Sequence, residues 1–182
     1  MASKDNTFWI VLTGVIGLLL FLKRQSIGDA VTATVSGWAS VEQGPVWVPV
    51  INITEQQLGI PHNLLARMAY QESHFRPDII NGTTASPAGA LGILQLLPQY
   101  FSAVNVPRPY TQADTVNQIS QAGAQLVSLY NQFGDWSLAV AGYNAGAGTI
   151  SGFLAGSRAL PPETANYVAD ILNDVPLSGT LT

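Results

Sequence analysis

Apolar side chains recur every three or four residues along most of the chain after Ile51, which is the spacing of one face of an α-helix. The clearest run ends at Glu72, and its apolar members are Leu64, Leu65, Met68 and Ala69. Similar spacing predicts further helices around 88–97, 112–133, 136–144, 147–155 and 162–173. Sustained alternation with period two, the pattern of a half-buried strand, is absent from the sequence. We therefore predict a mostly α-helical domain over residues 51–182.

Capping signals predict where several of these helices begin and end. Thr54 followed by Gln57 fits a capping box, which predicts the start of a short helix that stops near Gly59. Pro61 suits the first turn of the next helix. Gly134 stands where the C-terminal cap of the longest helix is expected.

Glu72 lies on, or at the edge of, the apolar face of its predicted helix. Burial of a carboxylate without a partner costs free energy, favours the neutral acid and so raises the pKa. A raised pKa is what a general acid at neutral pH requires. The alternative role for Glu72 is an ion pair with Arg76, four residues further along the helix.

Composition excludes several kinds of site. The chain contains no cysteine, which excludes disulfide bonds, thiolate metal sites and a cysteine nucleophile. Its two histidines, His62 and His74, lie in no metal-binding motif, so we predict no metal site and no cofactor. Lys and Arg number only 7 and the formal net charge is −4, so we predict no nucleic-acid partner.

Three separated segments carry short motifs. The first combines residues 71–75 (QESHF) with 86–98 (SPAGALGILQLLP), the second is 139–148 (AVAGYNAGAG) and the third is 163–168 (ETANYV). Together, in this order and spacing, they resemble the catalytic domain of the soluble lytic transglycosylase family, a relative of goose-type lysozyme. The resemblance covers about residues 52–175 and implies a lysozyme-like transglycosylase domain, mostly α.

The resemblance also implies an activity. Enzymes of this family cleave the β-1,4 bond between N-acetylmuramic acid and N-acetylglucosamine, so peptidoglycan glycan strands would be the partner. Glu72 matches the family's single catalytic acid, which protonates the glycosidic oxygen and then takes a proton from the muramic C6 hydroxyl. The product is a 1,6-anhydro ring. The substrate's N-acetyl group stabilises the reacting carbon, so the scheme needs no second carboxylate.

Six further residues match positions that the resemblance implies are substrate-binding: Ser86, Gln95, Tyr143, Asn144, Glu163 and Tyr167. In the family the hydroxyl at the position of Tyr167 lies near the catalytic acid. Core packing is the alternative role for Tyr143 and Tyr167, and helix capping is the alternative for Glu163.

The chain departs from the family pattern in two places. Residues 78–85 (DIINGTTA) make a segment longer than is usual there, so we expect a reshaped lip of the cleft. Gly142 stands where alanine is typical, which costs about 1 kcal/mol of helix propensity.

Residues 8–22 (FWIVLTGVIGLLLFL) form an apolar run without charge. A helix of that length spans roughly 22 Å against the roughly 30 Å of a bilayer's hydrocarbon core, but flanking basic side chains can extend its reach. We predict a hydrophobic, transmembrane anchor helix within residues 1–24, followed by a linker over 25–50. A cleaved signal peptide and a helix buried in a virion assembly are the alternatives.

The charges beside this run raise a question of topology. Lys23 and Arg24 outweigh Lys4, so the positive-inside rule keeps the following domain in the cytoplasm, away from a cell wall. Either this bias is too weak to decide the topology, or the membrane is not an ordinary host inner membrane, as in a phage virion. A phage virion protein would be held in an internal membrane or ejection apparatus with other virion proteins as partners, and would open the wall during genome entry. A membrane-bound enzyme of the bacterial cell envelope is the alternative.

Two other functions fit the same sequence. A lysozyme-type hydrolase would use Asp78 or Asp135 to position water. A structural membrane protein of a virion would keep the fold without catalysis, although the intact set of motif residues disfavours it.

Overall fold

The computed structural model describes residues 37–177, and this part of the chain contains seven α-helices and no β-sheet. The helices are α1 (Gly44–Leu58), α2 (Leu64–Ser73), α3 (Pro77–Ile80), α4 (Gln112–Phe133), α5 (Trp136–Ala145), α6 (Ala147–Leu154) and α7 (Pro162–Asp174). Single 3-10 turns lie at Gly37–Ser40 and Ser102–Val104. The predicted mostly α fold is confirmed for these residues.

Helix α1 begins earlier than the sequence pattern predicts. Residues 44–50, which we predicted as part of a linker, form its first turns, with Pro45 in the first turn where a missing N–H costs nothing. The predicted capping box is wrong, because Thr54 is buried in the middle of this helix. The end at Gly59 is confirmed, since its φ of 69° is the left-handed conformation of a C-terminal cap.

The predicted helix at 88–97 is wrong. Gly89 and Gly92 have φ values of 79° and 76°, which no α-helix accommodates, and Gln95 also has a positive φ of 47°. Leu91 and Leu96 instead form an isolated antiparallel bridge that closes the segment into a compact loop. We call residues 91–96 the bridge loop. Its apolar side chains are buried, which explains why they mimic the spacing of a helix.

One face of α2 forms the centre of the core and fixes the position of the site. Leu64, Leu65, Ala66, Met68 and Ala69 have no exposed surface. Fully burying one such leucine or methionine side chain stabilises the fold by about 1.5–3 kcal/mol. Helix α2 contacts α1 and α7, while α5 contacts α4 and α7. Three helices, α2, α5 and α7, therefore bring their side chains together.

The predicted anchor within residues 1–24 lies outside the described residues. Within residues 37–177, no helix combines the length and the apolar character needed to cross a membrane.

Candidate active site

Glu72 lies in the last turn of α2, at a sharp corner of the backbone. His74 and Phe75 both have positive φ values, 49° and 55°, which end the helix directly after Ser73. The N–H of His74 donates to the Tyr70 carbonyl at 2.7 Å. Phe75 is completely buried, so it anchors the corner in the core. Backbone strain of this kind is typical of functional sites.

The Glu72 residue is half-buried, and its carboxyl group has one side-chain hydrogen-bond donor. The Tyr167 hydroxyl donates to Glu72 Oε1 at 2.7 Å. Burial raises the pKa of Glu72 from its ordinary value of 4.5 to about 7, and the Tyr167 hydrogen bond opposes that rise. The predicted rise of the pKa is confirmed. The alternative ion pair is wrong, because the Arg76 guanidinium binds Asp78 at 2.7 Å instead.

Two neutral tyrosines surround this carboxyl group. Burial, and then the charge of Glu72, hold the pKa of Tyr143 and of Tyr167 well above its ordinary value, so both hydroxyls keep their protons. The Tyr143 hydroxyl donates to the Leu94 carbonyl at 2.8 Å, which ties α5 to the bridge loop. Tyr167 has 8% of its surface exposed and supplies the donor to Glu72. Core packing alone therefore does not describe either residue.

Asn144 is fixed by a residue that the sequence did not single out. Buried Thr164 donates from its hydroxyl to Asn144 Oδ1 at 2.8 Å, which joins the end of α5 to the first turn of α7. Asn144 itself is exposed.

Glu72 faces an open cleft of about 630 Å³. Its lining residues are Gln71, Glu72, Asn144, Glu163, Asn166 and Tyr167. A second cleft, of about 530 Å³, is lined by residues that include Gln95, Tyr143 and Asn144. Asn144 lines both clefts, so the two adjoin. We call the first the Glu72 cleft and the second the adjoining cleft. Together they have the open form that a polymeric substrate requires.

Ser86 is the one predicted site residue that lines neither cleft. Its hydroxyl accepts a hydrogen bond from the Ala90 N–H at 3.0 Å, which closes the turn before the bridge loop. Gln95 lines the adjoining cleft and donates from Nε2 to the Gly92 carbonyl at 2.9 Å. The long segment 78–85 also lines neither cleft.

Glu163 lines the Glu72 cleft and is exposed in the first turn of α7. A negative charge there interacts favourably with the helix dipole. Both roles predicted for Glu163, substrate contact and helix capping, remain compatible with this position.

The two aspartates considered for water activation have other roles. Asp135 caps α5, where its Oδ1 accepts the Leu138 N–H at 2.9 Å. Asp78 accepts hydrogen bonds from Thr84 and Arg76, and these bonds lower its pKa, the one from Thr84 most. Neither residue lines the Glu72 cleft. Within residues 37–177, no group of three or more His, Asp or Glu side chains could hold a metal ion.

Sequence reasoning missed Gln71, Asn166 and Thr164, which line or support the Glu72 cleft. All three lie inside the motifs of residues 71–75 and 163–168, so their position in these motifs could have identified them. The chemistry available at this site is transfer of one proton at neutral pH, by a carboxyl group whose hydrogen-bond donor, Tyr167, is neutral.

The chain is similar to a known protein family. A family model described as "Transglycosylase SLT domain" matches residues 49–164, which is most of the chain. The matched range contains α1 to α6 except the first residues of α1, and it includes Glu72, Gln95, Tyr143 and Asn144.

Proposed function

Since this chain belongs to the transglycosylase SLT domain family, we propose that Glu72 is the single catalytic acid with which it cleaves peptidoglycan. Membership makes the chain an enzyme, a lytic transglycosylase, and implies that it binds peptidoglycan glycan strands. The observation that carries the assignment is the pKa of Glu72, raised to about 7 by burial, in an open cleft. Such a carboxyl group exchanges a proton most effectively near neutral pH.

In the first step Glu72 acts as an acid. Its proton passes to the glycosidic oxygen, and the bond between that oxygen and C1 of N-acetylmuramic acid breaks. The N-acetyl oxygen of the same sugar stabilises the positive charge that develops at C1. The Tyr167 hydroxyl, 2.7 Å from Glu72 Oε1, stabilises the carboxylate that this step leaves behind.

In the second step the Glu72 carboxylate acts as a base. It takes the proton of the muramic C6 hydroxyl while the C6 oxygen forms a bond to C1. The product carries a 1,6-anhydro ring, Glu72 is again protonated, and no water is consumed. A second carboxylate is not needed for either step. In agreement with this, Asp78 binds Arg76 and Asp135 accepts the Leu138 N–H, both away from the Glu72 cleft.

Replacement of Glu72 by glutamine tests this assignment. Glu72→Gln keeps the shape of the side chain but cannot donate or take up the proton, so we expect peptidoglycan cleavage to fall by about 10²–10⁴-fold. Lysis of purified cell walls, followed by turbidity, measures the effect. The matched control is Glu42→Gln, the same change at an exposed carboxylate away from the cleft, which should keep full activity. Undiminished lysis by Glu72→Gln would exclude Glu72 as the acid.

We further propose that the enzyme is a phage virion protein that opens the cell wall during genome entry, held by its N-terminal apolar segment. The support comes from the sequence: the uncharged run 8–22 is followed by Lys23 and Arg24, a charge order that conflicts with export by a bacterium. Mass spectrometry of purified phage particles should detect the chain. Its presence in bacterial envelopes and absence from particles would instead favour a wall-remodelling enzyme.

A further inference from the structure

The side-chain amide of Gln71 has a fixed orientation. Gln71 directly precedes Glu72 on α2 and lines the same cleft. Arg67, one turn earlier, donates from Nη1 to Gln71 Oε1 at 2.8 Å. A guanidinium group has donors and no acceptor, so only the amide oxygen can face it. The NH2 group of Gln71 is thus the polar group that remains for the cleft.

Arg67 is itself held firmly enough to act as a support. It is buried, with 6% of its surface exposed. Its Nε lies 2.6 Å from Asp174 Oδ2, and its Nη2 donates to the Asp170 carbonyl at 3.1 Å. Both acceptors lie on α7, so the guanidinium group connects the helix that carries Glu72 with the helix that carries Tyr167. A buried charge with this many partners cannot easily turn away from Gln71.

The amide of Asn144, on α5, is oriented in the same way. Its Oδ1 accepts the Thr164 hydroxyl at 2.8 Å, which leaves its NH2 group for the cleft. Of the three amide side chains that line the Glu72 cleft, those of Gln71 on α2 and Asn144 on α5 have their oxygen occupied within the protein and present an NH2 group. An NH2 group of this kind donates hydrogen bonds and accepts none.

We propose that Gln71 is a substrate-binding residue that donates, together with Asn144, to acyl carbonyl oxygens of the glycan strand. Arg67 and Thr164 are positioning residues that fix the two amides. This proposal rests on the proposed function, which identifies the bound strand as peptidoglycan. The acyl groups meant are the N-acetyl groups, whose carbonyl oxygens only accept hydrogen bonds and so match the two donors. A de-N-acetylated sugar presents an ammonium group, which only donates, and it is therefore rejected.

Binding measurements on the inactive Glu72→Gln variant test this without interference from cleavage. The probes are soluble uncrosslinked glycan strands and the same strands after chemical N-deacetylation, and the quantity compared is the ratio of their dissociation constants. We expect the acetylated strands to bind at least tenfold more tightly. Adding Gln71→Glu keeps an oxygen for Arg67 but replaces the donor by an acceptor, so the preference should fall at least tenfold.

Two matched variants separate this effect from simpler ones. Asn166→Asp adds the same charge to the same cleft, so it measures the general attraction of the cationic strands. If Asn166→Asp changed the ratio of dissociation constants as much as Gln71→Glu does, the proposal would be overturned. Thr164→Val should weaken binding of acetylated strands about tenfold while Thr164→Ser, which keeps the hydroxyl, should not. Equal effects of the two would exclude the positioning role.

The outcomes for the two proposals are distinguishable. An unchanged ratio in Gln71→Glu overturns the binding role of Gln71 and leaves catalysis by Glu72 intact. Conversely, wall lysis that survives in Glu72→Gln overturns the catalytic assignment. The change in the ratio of dissociation constants caused by Gln71→Glu still decides the binding role of Gln71.

Discussion

Replacing Tyr167 by phenylalanine removes one hydroxyl group and leaves the ring in place. That hydroxyl is 2.7 Å from Glu72 Oε1 and is the side-chain donor that lowers the pKa of Glu72. Because Tyr167 is buried apart from 8% of its surface, the ring of phenylalanine should occupy the same space. The change therefore isolates one hydrogen bond to the carboxylate.

The magnitude follows from the strength of that bond. A hydrogen bond to a charged group contributes about 1.5–3 kcal/mol, and one pKa unit corresponds to about 1.36 kcal/mol. Loss of the donor destabilises the carboxylate, so the pKa of Glu72 should rise by about 1–2 units from its value of about 7. Since the first step needs protonated Glu72, activity falls as pH rises through this pKa. The alkaline limb of the activity profile should therefore move to higher pH by the same amount.

The assay is the pH dependence of kcat/KM on soluble glycan strands, measured for the wild type, Tyr167→Phe and Tyr143→Phe. Tyr143→Phe is the matched control, because its hydroxyl donates to the Leu94 carbonyl rather than to Glu72. An alkaline limb that stays in place in Tyr167→Phe, moves to lower pH, or moves equally in both variants would refute the reasoning.

Three further predictions concern the stability of the fold. The raised folded-state pKa of Glu72 means that its contribution to stability is present below pH 4.5 and lost as pH rises through about 7, so Glu72→Gln should unfold at higher urea than the wild type at pH 8. The full shift converts to about 3 kcal/mol, and partial solvation reduces the expected gain to about 1–2 kcal/mol; equal midpoints would contradict it. Leu65→Ala should cost about 2–5 kcal/mol in urea unfolding, since the side chain is completely buried, and a smaller loss would show that the core collapses around it. Gly142→Ala should lower the melting temperature despite better helix propensity, because the added methyl group would lie 3.0 Å from a Leu129 methyl carbon; a higher melting temperature would show that Leu129 moves aside.

The sequence predicted features that depend on neighbouring residues. The spacing of apolar residues identified α2 and α4 to α7, and in α2, α4 and α7 the buried residues share one face of the helix. Gly134 caps α4 as predicted, with a φ of 71° and its N–H bonded to the Tyr130 carbonyl. The same spacing placed Glu72 at the edge of a buried face, which was enough to predict the direction of its pKa.

Features that depend on distant contacts could not be predicted from local patterns. The bridge loop buries its leucines through turns rather than a helix, so apolar spacing alone gives the wrong structure there. Arg67 meets Asp174 across 107 residues of chain, and Tyr167 meets Glu72 across 95. Only the family resemblance suggested the second of these contacts. Nothing local indicated the first, although it fixes the amide beside the catalytic acid.

The products of peptidoglycan digestion test the central claim most directly, that the enzyme breaks the glycosidic bond by closing a 1,6-anhydro ring and consumes no water. Purified peptidoglycan is digested by the wild type in oxygen-18-labelled water, and the released fragments are analysed by mass spectrometry. We predict muramic ends in the 1,6-anhydro form, one water lighter than reducing ends and free of the label. Labelled reducing ends without anhydro-sugar would contradict the account and show that the enzyme is a hydrolase.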